Sequence, residues 1–186
     1  MEKETTRKFK WGFTWELEKL EKWMSDLSAK GMHIDKPGNL WNRYTTDPSI
    51  QYIYRIDFQQ DLLDKDKLNE YTSLYADSGW EYVGSVGPLW HYFRKNAFSE
   101  EPFELYTDRS SLADYYKRIS KVLVLVALIN LLSIALNISL VFPKYFTANL
   151  WSITIPVVSI QMLLFLFLIY GYFRFSQKIK VLAENK

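Results

Sequence analysis

Val122 to Phe142 is a run of 21 residues without one charged side chain, and Trp151 to Phe173 is a second such run. About 20 apolar residues cross the hydrocarbon core of a bilayer as a single helix. Two such runs in succession, each with charged flanks, argue against a buried helix pair of a soluble protein. The second holds 13 Leu, Ile, Val and Phe residues. At a few tenths of a kcal/mol each, these favour insertion by roughly 4–8 kcal/mol before polar penalties. The chain is therefore expected to end in a transmembrane hairpin, with helices at 122–142 and 151–173 and an extracytoplasmic loop at 143–150.

Basic residues set the expected orientation. Arg109, Lys117, Arg118 and Lys121 precede the first run, and Arg174, Lys178, Lys180 and Lys186 follow the second. The loop between them carries only Lys144. Positive residues remain on the cytoplasmic side, so both termini are expected in the cytosol and the protein in the plasma membrane. Tyr145, Trp151, Tyr170 and Tyr172 sit near the ends of the runs, where amphipathic rings favour the headgroup region. Met1 to Lys10 is charged and lacks an apolar core, unlike a signal peptide.

Within the first run Asn130, Ser133 and Asn137 recur at three- and four-residue spacing and share one helical face. Amides in lipid need partners, and Ser159 and Gln161 of the second run, or another copy of the chain, can supply them. Neither run holds an intramembrane charge, which argues against a transport path. Pro156 is expected to kink the second helix.

The rest of the chain has a different character. Residues 1–106 hold 14 Lys/Arg and 18 Asp/Glu, whereas residues 107–186 hold 9 and 3. Such asymmetry points to a membrane or a nucleic acid. Because the acidic half is the globular one, it lacks the electrostatic footprint of a nucleic-acid binder. There is no cysteine, which excludes disulfides, thiolate metal sites and cysteine nucleophiles. With only His33 and His91 no histidine-rich metal site can be built, and neither metal nor cofactor is expected.

Periodicity organises residues 1–98 as an α+β domain. Lys8–Thr14 alternates loosely, as a first strand. Leu17, Leu20, Trp23, Met24 and Leu27 give Glu16–Lys30 an apolar helical face that ends at Gly31. Strands are expected at His33–Lys36, Leu40–Thr45 and Gln51–Phe58. The last alternates most clearly, with Tyr52, Tyr54, Ile56 and Phe58 on one face and Arg55 and Asp57 on the other. A second helix covers Lys65–Ser78 and ends at Gly79, and strands follow at Trp80–Ser85 and Leu89–Lys95. The order is a duplicated β-α-β-β. Gly31 aligns with Gly79, Met32 with Trp80, Leu40-Trp41 with Leu89-Trp90 after a one-residue gap, and Tyr44 with Phe93. Residues 99–121 form an acidic linker and a juxtamembrane helix, for which Ser111 and Asp114 resemble a capping box. That helix runs unbroken into the membrane. Residues 174–186 form a basic cytosolic tail.

Several segments, Glu21-Lys22-Trp23, Ala29-Lys30-Gly31, Tyr52 to Phe58, Gly79-Trp80-Glu81-Tyr82-Val83-Gly84 and Trp90 to Lys95, resemble domain-of-unknown-function family 2812, a group of bacterial membrane proteins. Met32 departs from the tryptophan expected after Gly31. The resemblance implies this domain followed by a helix hairpin. It also implies a regulatory or stress-response role, members being encoded beside a PadR-type transcriptional regulator. It supplies no catalytic residues. The doubled β-α-β-β order is similar to GyrI-like effector-binding domains, which take bulky, often cationic aromatic compounds. That likeness is one of topology only.

Residues 1–106 contain six tryptophans, which serve either as core or as a ligand pocket. The pocket reading selects Trp41, Tyr54, Trp80, Tyr82, Trp90 and Tyr92, with Asp57 and Glu81 as carboxylates facing a cation. Alternation away from apolar neighbours favours solvated positions for both acids. No Ser-His-Asp arrangement, phosphate loop or paired-carboxylate motif appears, so the expected class is non-enzymatic. The leading expectation is a membrane-anchored regulatory or sensory protein whose cytosolic domain binds a protein partner or a second copy. A sensor of bulky aromatic or cationic molecules and an accessory subunit of a membrane transporter are the alternatives.

Overall fold

Two glycines in left-handed backbone end the two helices of the N-terminal half, Gly31 at φ 78° and Gly79 at φ 76°. They mark the same point of a repeated unit in a computed structural model that describes residues 5–10, 16–60, 62–99, 109–141 and 151–184. Strand β1 (Thr5–Phe9), helix α1 (Leu17–Ser28), β2 (Met32–Lys36) and β3 (Trp41–Thr46) form the first unit. Strand β4 (Tyr52–Phe58), helix α2 (Lys65–Ala76), β5 (Glu81–Val86) and β6 (Trp90–Asn96) form the second. The strands are antiparallel throughout and divide into two sheets, ordered β1-β3-β2 and β4-β6-β5. Both halves thus have one topology. Each helix is 12 residues long.

The likeness extends to irregularities. In β2 the residue between Ile34 and Lys36 is left over in the pairing with β3, and in β5 so is the residue between Tyr82 and Gly84 in the pairing with β6. Each bulge lies at the same distance beyond its helix-ending glycine. Phe9 meets Trp41 edge to face at 5.4 Å, and Phe58 meets Trp90 in the same way at 4.8 Å. The expected strands are all present, with ends shifted by a few residues. The largest shift is at β1, which starts at Thr5 and leaves the expected residues 11–14 outside the described ones.

Helix α1 does more than cover a sheet. The outer edge of β4 is unpaired with any strand, and three of its N–H groups donate to side chains of α1. Tyr52 N–H donates to Ser28 Oγ (2.7 Å), Tyr54 N–H to Ser25 Oγ (3.0 Å) and Ile56 N–H to Glu21 Oε1 (2.9 Å). Residues spaced three and four apart on a helix lie along one stripe, and alternate strand residues point their N–H groups the same way. The Leu17, Leu20, Met24 and Leu27 stripe is buried beside these polar contacts. Leu20 and Met24 are 4% and 0% exposed, so the helix is fixed by apolar burial and aligned by hydrogen bonds.

β4 is buried on both faces rather than one. Tyr54, Ile56 and Phe58 are buried as expected, but so is Asp57, at 1% exposure. The expectation of a solvated Asp57 is therefore overturned. Helix α2 covers that face, and Tyr71 and Tyr75 of α2 both reach the carboxylate. Tyr71, Trp80 and Phe93 form the core beneath α2.

The second compact unit, Asp108–Lys186, contains α3 (Arg109–Leu136), a π-helical turn (Asn137–Val141) and α4 (Trp151–Glu184). Both helices are long and apolar enough to cross a membrane. Their aliphatic side chains lie largely uncovered, among them Leu128 at 58%, Ile160 at 66% and Leu163 at 67%. Gln161 joins the two helices. Asn137 Nδ2 donates to its Oε1 (3.1 Å), and its Nε2 donates to Ser133 Oγ (2.9 Å). Ser159 instead lines a groove with Ile138 and Thr154. Asn130 Oδ1 is buried and lacks a hydrogen-bond partner among the described residues. At the other end Tyr116 packs on Phe175 at 5.7 Å, and Lys178 lies 5.0 Å over the Tyr116 ring.

One expectation for this unit changes. α3 is already helical at Arg109, so Ser111 is not its cap, and Asp114 instead accepts from Lys117 Nζ (2.8 Å). α4 continues through Pro156 and past residue 173, so the basic tail is helical as far as Glu184. The expected loop 143–150 lies outside the described residues, as does most of the linker.

Ser28 is 0% exposed and serves β4 and His33 at once. Replacing it with alanine leaves the Tyr52 N–H without its acceptor. We expect Ser28→Ala to destabilise the N-terminal unit by about 2 kcal/mol, the cost of an orphaned buried donor. Chemical denaturation of the full chain followed by tryptophan fluorescence checks this, with exposed Lys22→Ala as the neutral control.

Candidate functional site

The two bulges bend the outer edges of their sheets, β2 and β5, which face each other without pairing. On β2 the backbone groups of Ile34 are met by side chains instead. Ile34 N–H donates to Tyr54 Oη (2.9 Å), and Arg94 Nη1 donates to Ile34 C=O (3.4 Å). Gly84 allows the close approach at the far end, since a Cβ there would lie 3.2 Å from the Pro37 ring in a backbone of φ 147°. Between the edges remains a cleft of about 290 Å³.

One wall is β2 with the β3–β4 turn and the start of β4: His33, Asp35, Thr45, Asp47, Ile50 and Tyr52. The other is Glu81, Tyr82 and Val83 of β5, with Arg94 of β6. Three acidic residues and one basic residue thus line the cleft. Arg94 holds Glu81 through Nε (2.8 Å) and Nη2 (2.5 Å), in the bidentate geometry that suits a planar fork. The same guanidinium stacks 4.4 Å over the Tyr52 ring. Asp35 pairs with Arg43 on the rim. Asp47 Oδ1 accepts from Ser49 N–H (3.0 Å) and Ser49 Oγ (2.5 Å).

His33 is fixed in one orientation. Its Nε2–H donates to the Asp47 carbonyl (2.6 Å), which leaves Nδ1 to accept from Ser28 Oγ (2.8 Å). With both nitrogens engaged it is a structural residue that positions the turn, and its ring meets Tyr52 edge-on at 5.1 Å. Tyr54 behind the cleft is fully buried, and burial pushes its hydroxyl up to about 12 despite the opposing Ile34 N–H and Arg94.

A second polar cluster lies under α2 and touches the cleft through Tyr82. Tyr71 Oη donates to Asp57 Oδ2 (2.5 Å), Tyr75 Oη donates to the same oxygen (3.1 Å), and Phe58 N–H donates to Oδ1 (2.7 Å). His91 is the cross-strand partner of Asp57. Its Nδ1 lies 3.2 Å from Tyr82 Oη, and its Nε2 is buried without a hydrogen-bond partner among the described residues. Burial holds the imidazole below its ordinary value of 6.5, opposed by the Asp57 carboxylate and the Pro88 carbonyl.

Of the residues singled out from the sequence, Glu81 and Tyr82 line the cleft. Tyr54 lies behind it, and Asp57 lies in the buried cluster. Trp80 (3% exposed) and Tyr92 (2%) are core, and Trp90 packs on Phe58. Trp41, at 57% exposure, lies on the surface away from both. Sequence reasoning missed His33, Tyr52 and Arg94 as neighbours of Glu81. The Glu81–Arg94 pairing could have been counted back from the Gly87-Pro88 turn, except that the Val83 bulge displaces the register by one.

The profile of a family described as Protein of unknown function (DUF2812) matches residues 16–128. The chain belongs to this family. The match begins at the turn before α1, takes in both walls of the cleft and continues into α3, so the DUF2812 region joins the doubled α+β unit to the first long apolar helix. Strand β1 precedes it. No curated protein and no solved structure matches this DUF2812 chain.

A His whose folded value is lowered binds fewer protons folded than unfolded. The stability it contributes is present above its unfolded value and is lost as pH falls below about 6.5. We expect denaturation midpoints to drop between about pH 7 and pH 5, and the drop to shrink in His91→Asn. Asparagine is the residue at the equivalent position of the first half, Asn42, also fully buried.

Proposed function

We propose that this protein is a membrane-anchored, non-enzymatic sensor whose N-terminal unit lies in the cytosol and binds a bulky organic cation in the cleft between β2 and β5. The observation that carries this reading is the lining of the cleft, in which Asp35, Asp47 and Glu81 outnumber Arg94 and stand beside Tyr52 and Tyr82. Carboxylates and aromatic faces together favour a cation with apolar bulk. The Glu81–Arg94 pair gives the site a movable part: a cation that attracts Glu81 competes with Arg94, which is held on Tyr52. Such a rearrangement would alter the contact between the two repeats, the kind of change a regulatory partner can read. The engagement of both His33 nitrogens and of Glu81 supports binding rather than acid–base catalysis.

The α3–α4 pair supports membrane anchoring. Tyr116 packs on Phe175, so Lys117, Arg118 and Lys121 in the first part of α3 and Arg174, Lys178 and Lys180 of α4 share one end of the hairpin, which supports this reading. Positive residues at one end favour the cytosolic side for both termini. The alternative of a transporter subunit that docks through Asn130, Ser133 and Asn137 is less favoured, because Ser133 and Asn137 are engaged by Gln161.

Binding is tested with the full chain in detergent and a fluorescent aromatic cation, followed by anisotropy. We expect saturable binding that Glu81→Gln weakens at least ~tenfold, equivalent to about 1.4 kcal/mol. Equal binding of a neutral analogue of the same shape would exclude a cation site. Topology is tested with single cysteines, since the native chain has none. Cysteines at positions 30 and 180 should resist an impermeant thiol reagent in intact cells, and labelling at either overturns the orientation.

A further inference from the structure

In the second repeat the Phe58–Trp90 ring pair is core, with Phe58 at 1% exposure. The equivalent Phe9–Trp41 pair of the first repeat lies in the open, at 42% and 57%. The register shows what surrounds it. Arg7 pairs with Arg43, Phe9 with Trp41, and Lys36 with Arg43, and residues paired across strands share a face. The face is the outward one, because Ile34, Asn42 and Tyr44, which point the other way, are at most 1% exposed. Arg7, Lys36 and Arg43 are exposed, and among the described residues Asp35 pairs with Arg43. Leu40, 60% exposed, extends the apolar part at the start of β3. A cationic, aromatic sheet face therefore stands on a half-chain that is acidic as a whole, with 14 Lys/Arg to 18 Asp/Glu in residues 1–106.

We infer that this face of β1 and β3 docks on a lipid surface rich in anionic headgroups. Charge complementarity selects an anionic partner. Exposed tryptophan, phenylalanine and leucine among cations suit the headgroup boundary, where apolar bodies enter the lipid and positive heads meet phosphate. The inference rests on the reading of α3 and α4 as membrane helices. Covalent attachment to such an anchor keeps the bilayer at high effective concentration, so a small patch suffices. Docking would make the lipid composition of the leaflet an input to the sensor unit, since β2 carries Lys36 on this face and Asp35 at the rim of the cleft.

The test uses the full chain in lipid nanodiscs. Leu40→Cys carries an environment-sensitive fluorophore, which leaves Phe9 and Trp41 intact, and Leu74→Cys on α2 is the control position. With phosphatidylcholine discs that contain about a third phosphatidylglycerol at low salt, we expect a blue shift at position 40 and none at 74. The shift should vanish in pure phosphatidylcholine and in high salt. Arg7→Gln and Arg43→Gln should each lower the docked fraction roughly fivefold, the effect of one juxtamembrane cation. A chain that alkaline carbonate washes from the discs overturns both the anchor and the docking. A retained chain with position 40 in water in both lipids overturns docking alone. A blue shift of equal size in both lipids also overturns it, because burial of the face then does not depend on anionic headgroups.

Discussion

The three hydrogen bonds from β4 to α1 are the constraint on which the N-terminal unit turns. An edge strand carries a row of donors that must be paired, covered or wetted. Here Ser28, Ser25 and Glu21 accept from Tyr52, Tyr54 and Ile56, so a helix of the first repeat closes an edge of the second. The helix rises ~10 Å over seven residues while four strand residues span ~13 Å. Two short serines and then a longer glutamate absorb that difference. The same serine holds His33, which holds the β3–β4 turn, so one helix face fixes the repeat junction and one wall of the cleft.

The duplication explains the cleft and also why the halves are not interchangeable. Identical helix lengths, glycine positions and bulges give two like sheets with bent outer edges. Bent edges cannot zip into a six-stranded sheet, and the space left between them is the cleft. Divergence then places different chemistry at equivalent positions. Asn42 of the first half is a neutral buried amide bonded to Tyr44 and Gly38, whereas His91 of the second sits beside a carboxylate. The ring pair that is core in one half faces outward in the other. Such broken symmetry is where function is to be sought in a doubled fold, because packing alone would keep the halves alike.

Gln161 plays a comparable part in the hairpin. Its amide both accepts and donates across the helix pair, which suits an environment without water to satisfy either group. The exposed aliphatic surface of α3 and α4 needs lipid or protein around it, and the two amides and one hydroxyl of Gln161, Asn137 and Ser133 fix which faces meet. Asn130, one turn from Ser133, stands outside this set, its Oδ1 buried without a hydrogen-bond partner among the described residues.

The sequence by itself determined the elements and their repetition. Gly31 and Gly79 end helices because left-handed backbone costs glycine little, and alternation or helical spacing of apolar residues fixed the rest. It determined the two long apolar helices for the same reason, that length and hydropathy act locally. Tertiary structure decided burial and partnership. Asp57 alternates with apolar neighbours as a solvated residue does, yet α2 covers it with two tyrosines. Trp41 has the bulk of a core residue, yet it stands 57% exposed beside Phe9. Arg94 meets Glu81 because the Val83 bulge shifts the β5–β6 register, and it meets Tyr52 because that ring lies diagonally across on β4. Those outcomes depend on which elements pack together, and residue spacing along one strand carries no record of what lies across from it.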